Sequence, residues 1–139
     1  MDINTARVAI YNRIVSSGIV TADRIDDGDL NMTGFVMPTE GVWIRPSIKL
    51  SSAGVQTLGG PNVATRRRRG GTTIIQVFSS LGVGEWAGDD VADQLLRLFE
   101  AQNDAGVFYR SPYVRDIGRD EAWWQKNVII PFDFDVVCI

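Results

Sequence analysis

Apolar positions recur along this chain with two different spacings. Val8, Tyr11, Ile14 and Val15 fall on one face at helical spacing, and predict a helix over residues 4–17. Asn4 or Thr5 can cap its start and Gly18 can stop it. Ala92, Leu95, Leu96 and Phe99 form the same kind of stripe and predict a second helix over 89–101. Asp89 and Asp90 then stand at its start, where negative charge favours the helix dipole, and Asp93 and Arg97 make an i,i+4 pair.

Elsewhere the period is two. In residues 42–50, Val42, Ile44 and Ile48 share one face while Trp43, Arg45, Ser47 and Lys49 share the other. Pro46 lacks a ladder donor, so this strand belongs at an edge or at a bulge. Residues 72–78 are rich in β-branched side chains and predict a second strand. Val107–Tyr109 and Tyr113–Ile117 are short strand candidates. At the C-terminal end Val128, Ile130, Phe132, Phe134 and Val136 alternate with Ile129, Pro131, Asp133, Asp135 and Val137. One face is fully apolar and the other partly polar, which marks an antiparallel sheet packed on a core through one face. Asp133 and Asp135 read as part of a solvated face. The order of elements predicts a single α+β domain over residues 1–139, a two-layer structure with a mainly antiparallel β-sheet flanked by two helices.

Composition narrows the chemistry. The 139 residues contain no histidine and one cysteine, Cys138. Ser–His and Cys–His catalytic couples, imidazole metal sites and an intrachain disulfide are excluded. Asp23, Asp26, Asp27 and Asp29 cluster around Gly28, but the order of a calcium loop is not met, and an exposed acidic turn is expected. The segment Gly82–Gly88 has the glycines of a dinucleotide turn. Glu85, Asp89 and Asp90 would repel a phosphate there, so a glycine turn ahead of the second helix is expected instead. These exclusions predict no enzyme activity and no cofactor. The N-terminus lacks a signal-peptide pattern and no apolar run is long enough to cross a bilayer, which predicts a cytosolic protein with no membrane partner.

Charge is unevenly placed. The net charge is −3, yet the 14 basic residues include four consecutive arginines, Arg66, Arg67, Arg68 and Arg69. Without them, ten basic residues face 17 acidic ones. Residues 51–71 hold this run among five glycines, and predict a long mobile loop. Arginine favours forked contacts with carboxylate or phosphate, so this loop is the leading contact candidate, against the plainer alternative of a solvated loop. Trp123 and Trp124, just before the last strand, serve either an interface or the end of the core.

Several segments together resemble the tail terminator proteins of long-tailed, siphovirus-type bacteriophages. They are Trp43-Ile44-Arg45, Gln56-Thr57-Leu58-Gly59-Gly60, and Arg69-Gly70 leading into Ile74-Ile75-Gln76-Val77-Phe78. Leu81-Gly82-Val83-Gly84, the helix with Ala92, Asp93, Leu96 and Phe99, and Trp124 through Phe132 follow in the same order. The likeness covers roughly residues 35–135.

The resemblance implies a structural protein of the virion tail and neck, assembled in the host cytoplasm. It implies a homohexameric ring that caps the finished tail tube, stops its polymerisation and joins it to the head connector. The implied partners are further copies of the chain, the tail tube protein, and the head-completion or stopper protein, with transient contact to genomic DNA in the channel. Candidate interface residues are Arg66–Arg69, Trp43, Arg45, Gln56, Trp123 and Trp124. Another neck component, or a DNA-contacting module using the arginines, are the alternatives.

Overall fold

The computed structural model describes residues 3–26, 35–55, 65–100, 103–104, 106–119 and 122–138. In chain order the elements are helix α1 (Ile3–Ser17), a 3-10 turn (Ala22–Arg24), β1 (Val42–Val55), β2 (Thr65–Ser80), α2 (Gly84–Phe99), β3 (Asn103–Asp104), β4 (Val107–Tyr109), β5 (Tyr113–Arg119) and β6 (Trp123–Cys138).

Pairing of the two most strand-like segments organises the molecule. β2 runs antiparallel to β6 over its whole length, from Thr65↔Cys138 to Ser80↔Trp123. β1 lies antiparallel on the other side of β2. The far side of β6 is shared: β5 pairs with its first half, and β4, followed by β3, with its second. Pro131 stands where one neighbour gives way to the next, and its carbonyl accepts from the Arg110 backbone N–H at 2.9 Å. The expected α+β class, mainly antiparallel, is the observed one.

Alternation along these strands sends one set of side chains toward the helices. Ile44, Ile75, Val77, Val128, Ile130, Phe132 and Phe134 are buried there against Ala6, Ile10 and Ile14 of α1 and Ala92, Leu95 and Phe99 of α2. Each large side chain so buried contributes about 1.5–3 kcal/mol. Arg13 ties the two helices together, donating from Nε and an Nη to the Leu98 carbonyl at 2.9 and 2.7 Å, a group that the helix end leaves without an internal partner. Its guanidinium also lies 5.8 Å from the Phe99 ring centre and 5.7 Å from that of Tyr109.

Four expectations need correction. The buried stripe of α1 is Ala6, Ile10, Tyr11 and Ile14, while Val8 and Val15 face outward. Ala6 and Ile10 are fully buried, so the face of α1 that meets the core runs through them. α2 begins at Gly84, not at residue 89, so Asp89 and Asp90 stand in its second turn and Glu85 alone is acidic in the first. Gly84 takes φ +76, which sets the sharp entry.

The third correction concerns the predicted loop at 51–71. β1 continues to Val55 and β2 starts at Thr65, so its two ends are strand; residues 56–64 lie outside the described residues. Successive strand side chains point to opposite faces, so the adjacent Arg68 and Arg69 are directed to different sides instead of crowding together. Gly70 and Gly71 are also not loop glycines. A Cβ at Gly71 would lie 2.4 Å from the Lys49 carbonyl oxygen and 2.8 Å from Phe132 Cζ.

Fourth, Asp133 and Asp135 are not simply solvated. Asp133 is buried and paired with Arg110, and Asp135 accepts from Arg68 Nε at 3.1 Å.

Candidate assembly surfaces

The sequence-predicted contact residues separate into three places. The first is the arginine end of the sheet, where β1, β2 and β6 run on together. Here Val55, Arg67 and Val136 are in register, as are Gly54, Arg68 and Asp135. By alternation Arg68 belongs to the face away from the helices and Arg69 to the helix-side face; the side chains of Arg66 and Arg67 lie outside what the structure describes. Arg68 is held by Asp135, whose hydrogen bond raises the guanidinium pKa above its ordinary value, and its guanidinium lies 5.4 Å from the Phe108 ring centre. Arg69 is half-buried and makes no ion pair with a described residue. Gln56 lies outside the described residues.

The second place is the sheet face away from the helices. Trp43 is 2% exposed, so it is not available as a contact residue. It stacks on Phe78 at 4.3 Å between ring centres and meets Trp123 edge-on at 6.0 Å, with Phe35 covering it at 5.2 Å. Its indole N–H finds no acceptor among the described residues. Arg45 lies over the Trp43 ring at 5.1 Å and pairs with Asp26 at 3.0 Å. The outer-face aromatics thus make a second, small core, and Trp123 belongs to it.

Trp124 points the other way, to the helix side, with Arg119 5.9 Å from its ring centre. The two adjacent tryptophans therefore do not form one surface.

A third place carried no signal strong enough to mark it as a contact in the sequence. Trp86, in the first turn of α2, is 84% exposed. Leu81 and Val83 are exposed in the turn just before it. Trp86, Asp90 and Asp93 follow at i, i+4 and i+7 along the solvent side of the helix, a spacing that could have revealed the stripe once the helix was started at Gly84. Asp93 pairs with Arg97 at 3.1 Å, while Asp90 is exposed and makes no ion pair with a described residue. Lys126 anchors this end of α2: its Nζ lies 2.7 Å from Asp89, 3.2 Å from Glu85 and 3.6 Å from Asp116 of β5. The Asp89 hydrogen bond, joined by Glu85, raises the Lys126 pKa above its ordinary 10.5 against the cost of its burial.

β5 is also open. Tyr113, Val114 and Ile117 are exposed, and β5 pairs with β6 along one edge. Its Arg115, Asp116 and Arg119 are the charges that discourage unwanted pairing at a free edge.

For chemistry the described residues offer little. None of them form a group of three or more side chains able to hold a metal ion. The hollow beside Glu100, Tyr109, Arg110, Ser111 and Pro112, about 540 Å³, is open to solvent. No helix of the described residues is long and apolar enough to cross a membrane.

No family model matches the sequence, and no curated protein does. A solved structure whose name carries no functional term is similar over 96% of this chain and 96% of its own, with 18% sequence identity and a TM-score of 0.66. At that identity the similarity establishes a shared fold.

Proposed function

We propose that this chain is a tail terminator: a ring-forming, non-enzymatic structural protein that caps the tail tube of a long-tailed phage and joins it to the head connector. The order of segments described above supports this, from Trp43-Ile44-Arg45 to the last strand. The observation that carries it is the shape of the sheet. β1, β2 and β6 have 14, 16 and 16 residues, against a usual strand of about 5–6. Their common end carries the arginine run and extends as a three-stranded arm. Such an arm suits reaching a neighbour, and the free faces at Trp86 and along β5 offer different surfaces for a second contact. Head-to-tail contacts between unlike surfaces are what a closed ring needs.

The partners follow from this reading: further copies of the chain in a hexamer, the tail tube protein below, the stopper or head-completion protein above, and DNA passing through the channel. The protein then resides in the virion neck after assembly in the host cytoplasm.

Purified protein should bind tail tube subunits and limit tubes to finite length. Binding to the portal complex without an effect on tubes would instead indicate a stopper. Arg66–Arg69 changed to Ala should weaken ring formation or tail joining, and unchanged assembly and infectivity would discard the role of the arm.

A further inference from the structure

The two layers of this molecule end in unlike outer surfaces. On the helix layer, Trp86 and Asp90 stand one turn apart on the solvent side of α2, both exposed. Asp93 beside them is occupied by Arg97, so Asp90 is the open carboxylate of this stripe. α2 carries four carboxylates, Glu85, Asp89, Asp90 and Asp93, against one cation, Arg97. Lys126 answers Glu85 and Asp89 from below the helix, not Asp90. A fully solvated indole beside a negative group is a hot-spot composition without a partner in the fold.

On the sheet layer, β5 presents Tyr113 and Arg115 in the same way. They stand opposite Ile129 and Asn127 of β6. Val128, between those two, is buried against the helices, so Tyr113 and Arg115 belong to the face away from them. Both are exposed, and Arg115 makes no ion pair with a described residue. Lys49 of β1 is a second exposed cation on that face, and it too makes no ion pair with a described residue.

The two pairs match in spacing and in chemistry. Residues i and i+4 of a helix are about 6 Å apart along its axis. Residues i and i+2 of a strand are about 6.6 Å apart. Setting Trp86 on the Tyr113 ring therefore brings Asp90 to Arg115. Ring contacts of this kind attract beyond the area they bury, and arginine grips a carboxylate with forked hydrogen bonds. Within one chain the pairs cannot meet, because the sheet stands between them.

We infer that the Trp86–Asp90 stripe of α2 in one copy seats on Tyr113 and Arg115 of β5 in a second copy. The inference rests on the ring reading above and deepens it by naming both halves of a subunit contact. Helix layer meets sheet face, so the contact is head-to-tail. Each copy gives one surface and receives the other, and repetition closes a ring when the rotation per step divides the circle.

The test uses the full chain as wild type, Asp90→Arg, Arg115→Asp, and the two changes together. Far-UV circular dichroism checks folding. Association is measured by sedimentation velocity up to millimolar concentration, in about 20 mM and 0.5 M salt, where charge contacts are strong and screened respectively. Wild type should form oligomers that weaken in high salt. Each single change sets like charges against each other and should weaken association by about tenfold or more. The double variant restores opposite charges with their places exchanged, and should recover most of that loss. Trp86→Ala should weaken association by about tenfold while keeping its salt dependence, and it covers the case in which a charge variant fails to fold.

A wild type that stays monomeric throughout, a single variant that associates as wild type does, or a folded double variant as weak as the singles would each overturn the inference. So would association that Trp86→Ala leaves unchanged. Failure of the terminator reading looks different: the oligomer would form and answer the charge exchange as described, and tubes would grow past it.

Discussion

Replacing Gly71 by Ala tests whether the arginine run belongs to a strand. In the structure Gly71 lies between Leu50 and Phe132 in the β1–β2–β6 register. An added Cβ would lie 2.4 Å from the Lys49 carbonyl oxygen and 2.8 Å from Phe132 Cζ, both well inside van der Waals contact. The oxygen is backbone and cannot withdraw without loosening β1, and the Phe132 ring is buried. Overpacking of this kind costs about 1–3 kcal/mol, occasionally more. For a domain of this size that is a fall in Tm of roughly 3–10 °C. A loop predicts the opposite sign. Gly71 is not in the left-handed region, so Ala in an unpacked loop would gain about 0.4–1 kcal/mol by restricting the unfolded chain. Calorimetry of G71A beside G82A, where an added Cβ meets nothing within 4 Å, separates the two. A G71A Tm equal to or above wild type would refute the strand register.

Other predictions address the core and its ties. Phe99→Ala should lose about 3–5 kcal/mol, read as the urea midpoint, because the ring is fully buried between the helices and sheet. Arg13→Ala should cost about 1–3 kcal/mol by leaving the Leu98 carbonyl unsatisfied and uncovering Phe99, and Arg13→Lys should recover part of that at most. Lys126→Met should lose up to about 3 kcal/mol, since Glu85, Asp89 and Asp116 are then left facing one another, and adding Asp89→Asn should restore part of the loss. The Lys126 pKa is raised on folding, so its contribution is full below pH 10.5 and is lost as pH rises through the folded value. Wild-type stability should therefore fall more steeply than that of K126M above pH 10.5 in denaturant titrations.

The sheet was legible in the sequence because its period is strict. Val128 to Phe134 and Thr72 to Phe78 alternate cleanly, and they form the central pair. The arginine run was not legible, because adjacent like charges read as a solvated loop to any rule that ignores strand alternation. What holds Arg68 in place is Asp135, 67 residues away in sequence, and no local pattern announces that pairing. The two glycines added to the error, since a glycine needed for close approach looks the same as one needed for a turn. Trp43 was misjudged for a related reason. It alternates with core residues and so reads as outward-facing, yet Phe35, Phe78 and Trp123 gather over it from distant parts of the chain. The Trp86 stripe was hidden by a helix start placed five residues late. Gly88 looked like part of the turn, although it is an interior helix position that fits closely against Ser79.

The central claim is that this chain caps tail tubes as a ring. Negative-stain imaging of tubes assembled with and without the protein tests it most directly. A tube-capping ring would give tubes of finite length, each bearing at one end a six-fold ring of about 92 kDa, six copies of a 15.4 kDa chain. Tubes that keep growing with bare ends in the presence of excess protein would contradict it.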